Sequence, residues 1–440
     1  MSMANKKPVR SLHKIIIPGM IMLSLMAGCD VLSTIQSYFP RDPQISVADE
    51  PVDNEPETAQ QITPTPTAVP TEIGKVAVWL PPQFDPQDGS ESALIFNAHI
   101  DAFRKLYPNA VVDFRIKADS GLNEIVEALA ITAKAAPDAL PTVVLLSWND
   151  MIAAADQGLI QPIGFFTQEL ESDDWYVAAW EIGKYKGETY GIPFAVDALV
   201  MFTRDQDLGG SYTTLSLMRQ QSREFVYAAG NSDSLLPYLW YQSAGGRLAD
   251  ENGQPLLEEQ GLNALFSELD TDRQEENIPS NILEFQTEQQ VWEAFSNNLV
   301  DSAFTWYSSA GTAASDPVVS YIPILGPDPY TYADGWVWCL VHNETADIGM
   351  NIQFMEHMAS AVFLNDWTGA AHLLPPRHSV DSRDNSFIDQ LMQSAHLPPD
   401  KLIRAYSQEA LVSAVQQILL GEAAPQEVTT NLLTRLEEGK

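Results

Sequence analysis

The chain has 440 residues, 45% of them hydrophobic, and a formal net charge of −35. This length and apolar content suffice for two domains with cores of their own. The negative charge argues against nucleic acid as a partner, because phosphates would be repelled rather than neutralised.

The N-terminal segment has the pattern of a secretory signal peptide. Basic residues precede an apolar run from Ile15 to Met26, which ends at the small pair Ala27-Gly28. Cys29 follows directly, so this junction resembles a bacterial lipobox. We expect residues 1–28 to be removed and Cys29 to be lipidated. The alternative, an uncleaved anchor, is disfavoured because the run is shorter than the roughly 20 residues of a spanning helix.

Residues 29–74 are rich in Pro, Thr, Asp and Glu and contain few aromatic residues. Such a segment cannot bury enough apolar surface to fold, and we expect a disordered tether behind the lipidated cysteine. A disordered N-terminus without a lipid is the alternative, and it differs only in the state of Cys29. Cys339, the second cysteine, has no intramolecular partner, so no disulfide is predicted. Its apolar neighbours indicate a buried side chain.

The folded part begins with alternating strand and helix patterns. Strands are predicted at 75–80, 110–116 and 142–147, and helices at 93–106 and 122–135. This alternation predicts a parallel sheet covered by helices on both faces.

Ligands of such sheets gather at the carboxyl ends of the strands. Trp79 ends the first strand, and Trp148, Asn149 and Asp150 follow the third. We therefore predict that these four residues contact a ligand. The alternative is that Asn149 or Asp150 caps the next helix.

Several segments, in this order along the chain, resemble bacterial extracellular solute-binding proteins of the maltose-binding type. The segment from Gly187 to Phe202 carries the most specific likeness. The further matches are Ser243 to Gly246, Trp292 to Trp306, Gly335 to Val341 and Leu374 to His378. The resemblance runs from about Lys75 to the C-terminus.

This resemblance implies an α/β fold with two lobes, each a mainly parallel sheet flanked by helices, joined by hinge crossings. The lobes are expected at 75–195 with 338–380 and at 196–337 with 381–440. Gly191 and Pro193 bracket an apolar run and are the predicted hinge residues. The solute would bind between the lobes and favour their closed arrangement.

The resemblance also suggests ligand contacts further along the chain. Asp197 lies at the first crossing, where the family often has an acidic contact, and a structural carboxylate is the alternative. Trp306 and Tyr307 follow a strand, where a cleft residue is common, although core packing is possible. Trp336 and Trp338 alternate along a strand and face one side, and Trp336 is the preferred cleft member.

The remaining aromatic residues and one arginine leave more room for a structural role. Trp240 is predicted as a ligand contact, but an aromatic stripe on a helix, here with Tyr241, more often belongs to a core. Arg377 could bind a carboxylate or fix a loop through its planar guanidinium, and we favour the loop. The other tryptophans in helical patterns are assigned to the core: Trp175, Trp180, Trp292 and Trp367.

The chain is not expected to be an enzyme. Phosphate-loop, nucleophile-elbow and zinc-protease motifs are missing from the part after the signal peptide. Paired carboxylates for glycoside hydrolysis remain the enzymatic alternative. No metal and no cofactor are predicted.

We therefore expect a monomeric, lipid-anchored receptor on the outer face of the cytoplasmic membrane. It would capture a small solute and deliver it to the permease subunits of an ABC importer, which must be separate chains. Aromatic residues at strand ends suit stacking on sugar rings, so a sugar or oligosaccharide is the predicted solute. The acidic composition keeps a cationic solute as the alternative.

Overall fold

The computed structural model describes residues 74–118, 124–167, 173–204, 212–312, 319–326, 328–344, 346–379 and 386–439. The predicted signal peptide, the lipidated Cys29 and almost all of the predicted tether lie outside the described residues.

The strands and helices follow in mixed order along the chain. The strands are β1 Lys75–Leu80, β2 Val111–Ile116, β3 Val143–Ser147, β4 Lys184–Tyr185, β5 Glu188–Thr189, β6 Gly191–Thr203, β7 Tyr212–Thr214, β8 Phe225–Val226, β9 Ser302–Trp306, β10 Val319–Ile324, β11 Thr331–Leu340 and β12 Ala395–His396. The helices are α1 Glu91–Leu106, α2 Ile125–Ala135, α3 Trp148–Asp156, α4 Val177–Ile182, α5 Leu215–Gln220, α6 Leu236–Ser243, α7 Glu259–Gln274, α8 Glu288–Ser296, α9 Ile348–Met358, α10 Ala361–Ala370, α11 Ser386–Gln393, α12 Lys401–Leu420 and α13 Pro425–Glu438. The elements predicted at the start of the folded part are found within a few residues of their expected bounds.

The first lobe is built on the sheet β2-β1-β3-β11-β6. Strands β1, β2 and β3 run parallel, whereas β11 and the first half of β6 are antiparallel to their neighbours. Strand β3 is buried along Val143 to Leu146, as expected for a strand covered on both faces.

The second lobe is built around the second half of β6. Strands β9 and β10 both pair antiparallel with this half, on opposite edges. Strand β8 then adds parallel to β9, and β7 adds parallel to β10. The expected two-lobed α/β fold is confirmed, but the sheet is mixed in both lobes rather than mainly parallel, because the strands that enter from the other lobe run antiparallel.

Two long strands connect the lobes. Strand β6 has 13 residues and is buried throughout. It pairs with β11 as far as Ala198 and with β9 from Leu199 onwards. Strand β11 makes the same passage in the opposite direction, and Leu374 forms a single bridge with Val196 beside it. The two strands are the described crossings between the lobes.

Aromatic side chains dominate the core beneath one face of the first-lobe sheet. Phe194 of β6 and Trp338 of β11 pack there with Phe103 of α1 and Trp367 of α10. Cys339 faces the other side of the sheet and is fully buried. In the described part of the chain, no helix is long and apolar enough to cross a membrane.

Candidate functional site

A cavity of about 170 Å³ lies where the loop after β1 meets the second lobe. Most of its lining comes from the first lobe, namely the segment 83–96, Trp336 of β11 and the segment 367–373. Ser308, in the turn after β9, contributes the wall from the second lobe. The cavity thus lies between the lobes, at the carboxyl end of β1, where ligands of α/β sheets bind.

Three aromatic rings form one wall of this cavity. Phe84 packs edge-on against Trp336, with ring centroids 5.2 Å apart, and lies 5.8 Å from the ring of Trp367. Phe84 and Trp367 are almost completely buried, whereas Trp336 is half-buried. Trp336 therefore keeps ring surface that a solute can contact.

The polar part of the lining is acidic or neutral. Asp85 and Asp88 come from the loop after β1, and their carboxylates accept hydrogen bonds of 2.8 Å from the backbone N–H groups of Gln87 and Ser90. These bonds fix the loop while each carboxylate keeps further acceptor capacity. The lining contains no lysine or arginine among the residues that the structure describes.

Asp197 holds the second-lobe wall in place. Its carboxylate accepts hydrogen bonds from the Ser308 hydroxyl at 2.5 Å, the Ser308 N–H at 3.1 Å and the Ala198 N–H at 2.9 Å. Burial raises the pKa of the Asp197 carboxyl to about 6, and the negative charge of Asp334 adds to this effect, whereas the hydrogen bonds lower it. The geometry favours the structural carboxylate over the direct ligand contact.

Asp334 lies directly opposite Asp197 in the pairing of β11 with β6. Directly opposed residues of neighbouring strands point to the same face. Burial raises the pKa of Asp334 to about 6, and the charge of Asp150 acts in the same direction. Burial likewise raises the pKa of Glu288 to about 7, with a contribution from Asp197. Several carboxyl groups around the crossings are therefore costly to ionise.

The predicted tryptophans at the first-lobe strand ends are not at the cavity surface. Trp79 is 3% exposed, with the Lys117 amine 4.1 Å from its ring centroid. Trp148 is 6% exposed because its ring turns into the core beneath α3. Neither ring offers a face on which a solute could stack in this arrangement.

Ser147, and neither Asn149 nor Asp150, caps α3. The Ser147 hydroxyl accepts a hydrogen bond from the Asp150 N–H at 3.2 Å and donates one to the Asp150 carboxylate at 2.8 Å. The proposed capping by Asn149 or Asp150 is wrong because the helix begins two residues earlier, at Trp148. Asn149 is exposed and Asp150 is half-buried, so both remain candidates for ligand contact.

Residues of the second lobe divide between cleft edge and core. Trp306 and Tyr307 are half-buried at the end of β9, next to the turn that carries Ser308. Burial and the charge of Asp197 raise the pKa of Tyr307. Trp240 is fully buried among other aromatic rings, and Tyr241 is buried and bonded to the backbone of Arg247. Trp240 therefore has no surface for a solute in this arrangement.

Arg377 makes contacts that suit the role in a loop, and that role stays a prediction. Its guanidinium lies 3.9 Å from the ring centroid of Trp175 and 3.4 Å from a carboxylate oxygen of Asp174. The side chain is 6% exposed. These contacts join the segment after α10 to the segment before α4.

The predicted hinge residues lie earlier than the passage between lobes. Gly191 and Pro193 are buried and pair with β11 inside the first-lobe sheet. A side chain on Gly191 would collide with Val337, 2.6 Å away. The change of pairing partner occurs only at Ala198 and Leu199, so a hinge at Gly191 and Pro193 remains a prediction.

Several residues that line the cavity were not predicted from the sequence, among them Phe84, Asp85, Asp88, Ser308 and Trp367, nor was Asp334 on the neighbouring crossing strand. Asp334 could have been predicted from the sequence. It lies two positions before Trp336 on one strand, so the two side chains point to the same face of the sheet. Trp367 was assigned to the core, and its ring is indeed 2% exposed, yet one edge reaches the cavity. Phe84 and Ser308 lie in short helical turns that carry no periodic signal.

Solved structures of other proteins have the same fold. The cyclic alpha-maltosyl-1,6-maltose binding protein of Arthrobacter globiformis matches with a TM-score of 0.65 and 15% identity over 83% of this chain and 99% of its own. MalE of Xanthomonas citri matches with a TM-score of 0.63 and 17% identity over 83% of this chain and 96% of its own. Maltose-bound MalE3 of T. maritima matches with a TM-score of 0.61 and 14% identity over 83% of this chain and 100% of its own. At these identities the likeness establishes the fold alone.

The sequence itself matches a family model. No curated protein matches significantly, but residues 98–395 match the model described as bacterial extracellular solute-binding protein. This range contains the crossing strands β6 and β11 and most of both lobes, including Ser308, Trp336 and Trp367 of the cavity wall, and solute-binding proteins of this kind are not enzymes. The chain belongs to the family of bacterial extracellular solute-binding proteins.

Proposed function

We propose that this protein is the lipid-anchored solute receptor of an ABC importer and that it captures a carbohydrate between its lobes. The observation that carries the proposal is the cavity between the lobes, which combines an aromatic wall with a rim of hydrogen-bonding groups. Aromatic rings stack on the apolar faces of sugars, while hydroxyl and carboxylate groups bind sugar hydroxyls.

Trp336 and Ser308 would divide this work between the lobes. Trp336 belongs to the first lobe and keeps ring surface at the cavity, whereas Ser308 faces it from the second lobe. A sugar that touches both would favour the closed arrangement by the difference between its affinities for the closed and open forms. The acids Asp85 and Asp88 are placed to accept hydrogen bonds from hydroxyl groups.

Structurally similar proteins support this class of solute. Structures of such proteins have been solved with maltose, maltotetraose, cycloalternan and alpha-D-tagatose bound. These molecules are all carbohydrates, so the fold accommodates sugars of very different size.

A cationic solute is the second candidate. The charged groups of the described cavity lining are both carboxylates, and aromatic rings attract cations through their faces. An amine could therefore pair with Asp85 or Asp88 while it lies against Trp336.

The anchor and the permease complete the proposal. Cys29 would carry the lipid, residues 30–74 would form the tether, and the lobes would comprise 75–195 with 338–380 and 196–337 with 381–440. A monomer would then present its cleft to permease subunits supplied by other chains. Mass spectrometry of the protein from the membrane fraction should show an N-terminal Cys29 that carries lipid, and an unmodified Cys29 there would contradict lipidation.

Calorimetry on the full chain tests the solute class. The panel contains maltose, maltotetraose and a monosaccharide as neutral probes and spermidine as a cationic probe. We expect binding of at least one sugar, a loss of about tenfold or more in affinity for Trp336→Ala, and partial retention for Trp336→Phe, since each stacked ring contributes on the order of 1–2 kcal/mol. Binding of spermidine without any sugar would support the cationic candidate instead, and silence of the whole panel would refute both.

A further inference from the structure

The turn after β9 touches the first lobe beside the cavity. This turn, residues 307–312, contains Ser308 and Gly311. A Cβ atom built on Gly311 would lie 2.7 Å from Cδ2 of His372, 2.8 Å from its Cγ and 2.9 Å from its Cβ. His372 follows α10 and adjoins Leu373, which lines the cavity and packs in the first-lobe core. Gly311 and His372 are therefore in contact across the two lobes.

The His372 side of this contact is fixed by the backbone. His372 has a φ of 52°, in the left-handed region that residues with a side chain seldom adopt. Such a conformation persists only where the surroundings enforce it. The atoms nearest to Gly311 include Cβ and Cγ of His372. Rotation of the imidazole ring about the Cβ–Cγ bond moves neither atom, so it cannot relieve the contact.

The contact is close to the passages between the lobes. Leu374, two residues after His372, exchanges backbone hydrogen bonds of 2.7 and 3.1 Å with Val196 of β6. Ser308, three residues before Gly311, is held by Asp197 of the same strand. Because the contact lies close to the crossings, a small increase in the distance between residues 311 and 372 produces a larger separation of the lobes at the far edge of the cleft.

We propose that Gly311 and His372 form the stop that sets the closure angle of the lobes. Closure to the arrangement seen here requires that residue 311 has no side chain, because a single methyl group would meet His372 before Ser308 reaches the cavity. The inference goes beyond the proposed function, since it concerns how the lobes meet and holds for any solute.

Pulsed electron spin resonance distances on the full chain test this proposal without a ligand. Spin labels are placed at Ala98→Cys on α1 and Gln289→Cys on α8, which are exposed on the two lobes, in a Cys29→Ser background. We expect Gly311→Ala to lengthen the mean distance between the labels and Gly311→Leu to lengthen it further. The matched control is Gly369→Ala in α10, where an added Cβ would have no atom within 4 Å, and it should leave the distance unchanged.

Removal of the other partner gives the opposite expectation. Glycine tolerates the left-handed backbone and has no side chain, so His372→Gly alone should shorten the mean distance between the labels. Combined with Gly311→Ala, it should restore the distance found in the unaltered protein. Melting temperatures confirm that each variant is folded. Unchanged distances in folded Gly311→Leu, or a lengthening that His372→Gly does not reverse, would overturn the proposal. Should Gly311→Leu fail to fold, the single variant His372→Gly decides, because an unaltered distance there contradicts a stop.

Discussion

Asp197 and Asp334 occupy opposed positions on two neighbouring strands, but they have different hydrogen-bond partners. Asp197 accepts three hydrogen bonds from Ser308 and Ala198, whereas the bond described for Asp334 comes from the N–H of Gly335 at 2.7 Å. Asp197 is thus committed to positioning the second-lobe turn. Asp334 has more acceptor capacity left and is the more exposed acid of the pair.

The contacts of Arg377 predict the effect of replacing it with lysine. Arg377→Lys should lower the free energy of unfolding by about 1–2 kcal/mol, because lysine can neither stack on Trp175 in the same way nor keep the planar contact with Asp174. Urea denaturation measures the loss. The control is Arg115→Lys, since the Arg115 side chain is 60% exposed and lies 3.9 Å from its acidic partner.

Arg377→Lys also separates the two interpretations of this residue. A variant that is as stable as the unaltered protein but binds the solute more weakly would contradict the role in the loop. It would support the carboxylate-binding role instead.

The crossing strands are the elements on which the arrangement of the site depends. Strand β11 carries Asp334 and Trp336 into the space between the lobes, and β6 carries Asp197 to the same place. The two strands approach so closely at Gly335 that an added Cβ would lie 2.4 Å from the carbonyl oxygen of Ala195 and 3.0 Å from Ile182. Their spacing therefore fixes how the two acids face each other.

Gly335→Ala tests this close approach. The methyl group has a backbone atom in its way, so the strands must separate, and we expect a loss of stability of about 1–3 kcal/mol. Gly164→Ala is the control, because a Cβ there would meet no atom within 4 Å. Equal midpoints of urea unfolding for the two variants would show that the crossing strands can shift without cost.

The sequence predicted the strands better than it predicted their partners. Apolar runs such as 75–80 and 142–147 identify buried strands because burial on both faces needs an unbroken apolar sequence. The same property largely hides the crossing, since β6 is buried throughout and Asp197 is the one charged residue in it, directly before the change of partner at Ala198 and Leu199. Partner choice depends on residues more than 100 positions away in the chain, such as Trp306 and Trp336.

Side-chain direction limited the prediction of the site in a similar way. The rule for strand ends located Trp79 and Trp148 near the correct edge of the sheet, but α3 starts at Trp148 and turns its ring into the core. Alternation along β11 gave the correct side for Trp336, and it would have given Asp334 as well. Position along a strand could thus be predicted, whereas the orientation of a side chain at a helix start could not.

The whole molecule is acidic, and part of that acidity is buried. Burial raises the pKa of Asp197 and Asp334 to about 6 and of Glu288 and Asp272 to about 7. A carboxyl group with a raised pKa in the folded state contributes stability below its ordinary pKa, and this contribution is lost as the pH rises through the raised value. Burial lowers the pKa of His99 to about 4, which acts in the opposite direction below pH 6.5.

Asp334→Asn isolates the carboxyl contribution. The amide keeps the acceptor for Gly335 but never ionises, so the variant should gain stability over the unaltered protein, and the gain should be about 1–1.5 kcal/mol larger at pH 8 than at pH 5. Denaturant titrations at the two pH values measure it. Asp113→Asn at an exposed position is the control for the loss of one charge. A gain that is the same at both pH values would show that Asp334 ionises freely in the folded protein.

The point where Gly74 enters β1 bears on how the proposed lipid anchor would be attached relative to the cavity. The chain arrives at the amino end of β1, and the cavity follows the carboxyl end of the same strand, about 20 Å further on for six residues. The proposed tether, which ends at Gly74, would therefore be attached at the end of β1 opposite the cavity. If Cys29 carries the proposed lipid, the cavity lies at the end of β1 away from the point of attachment, so the domain would have to reorient before a solute could pass to a permease in the membrane.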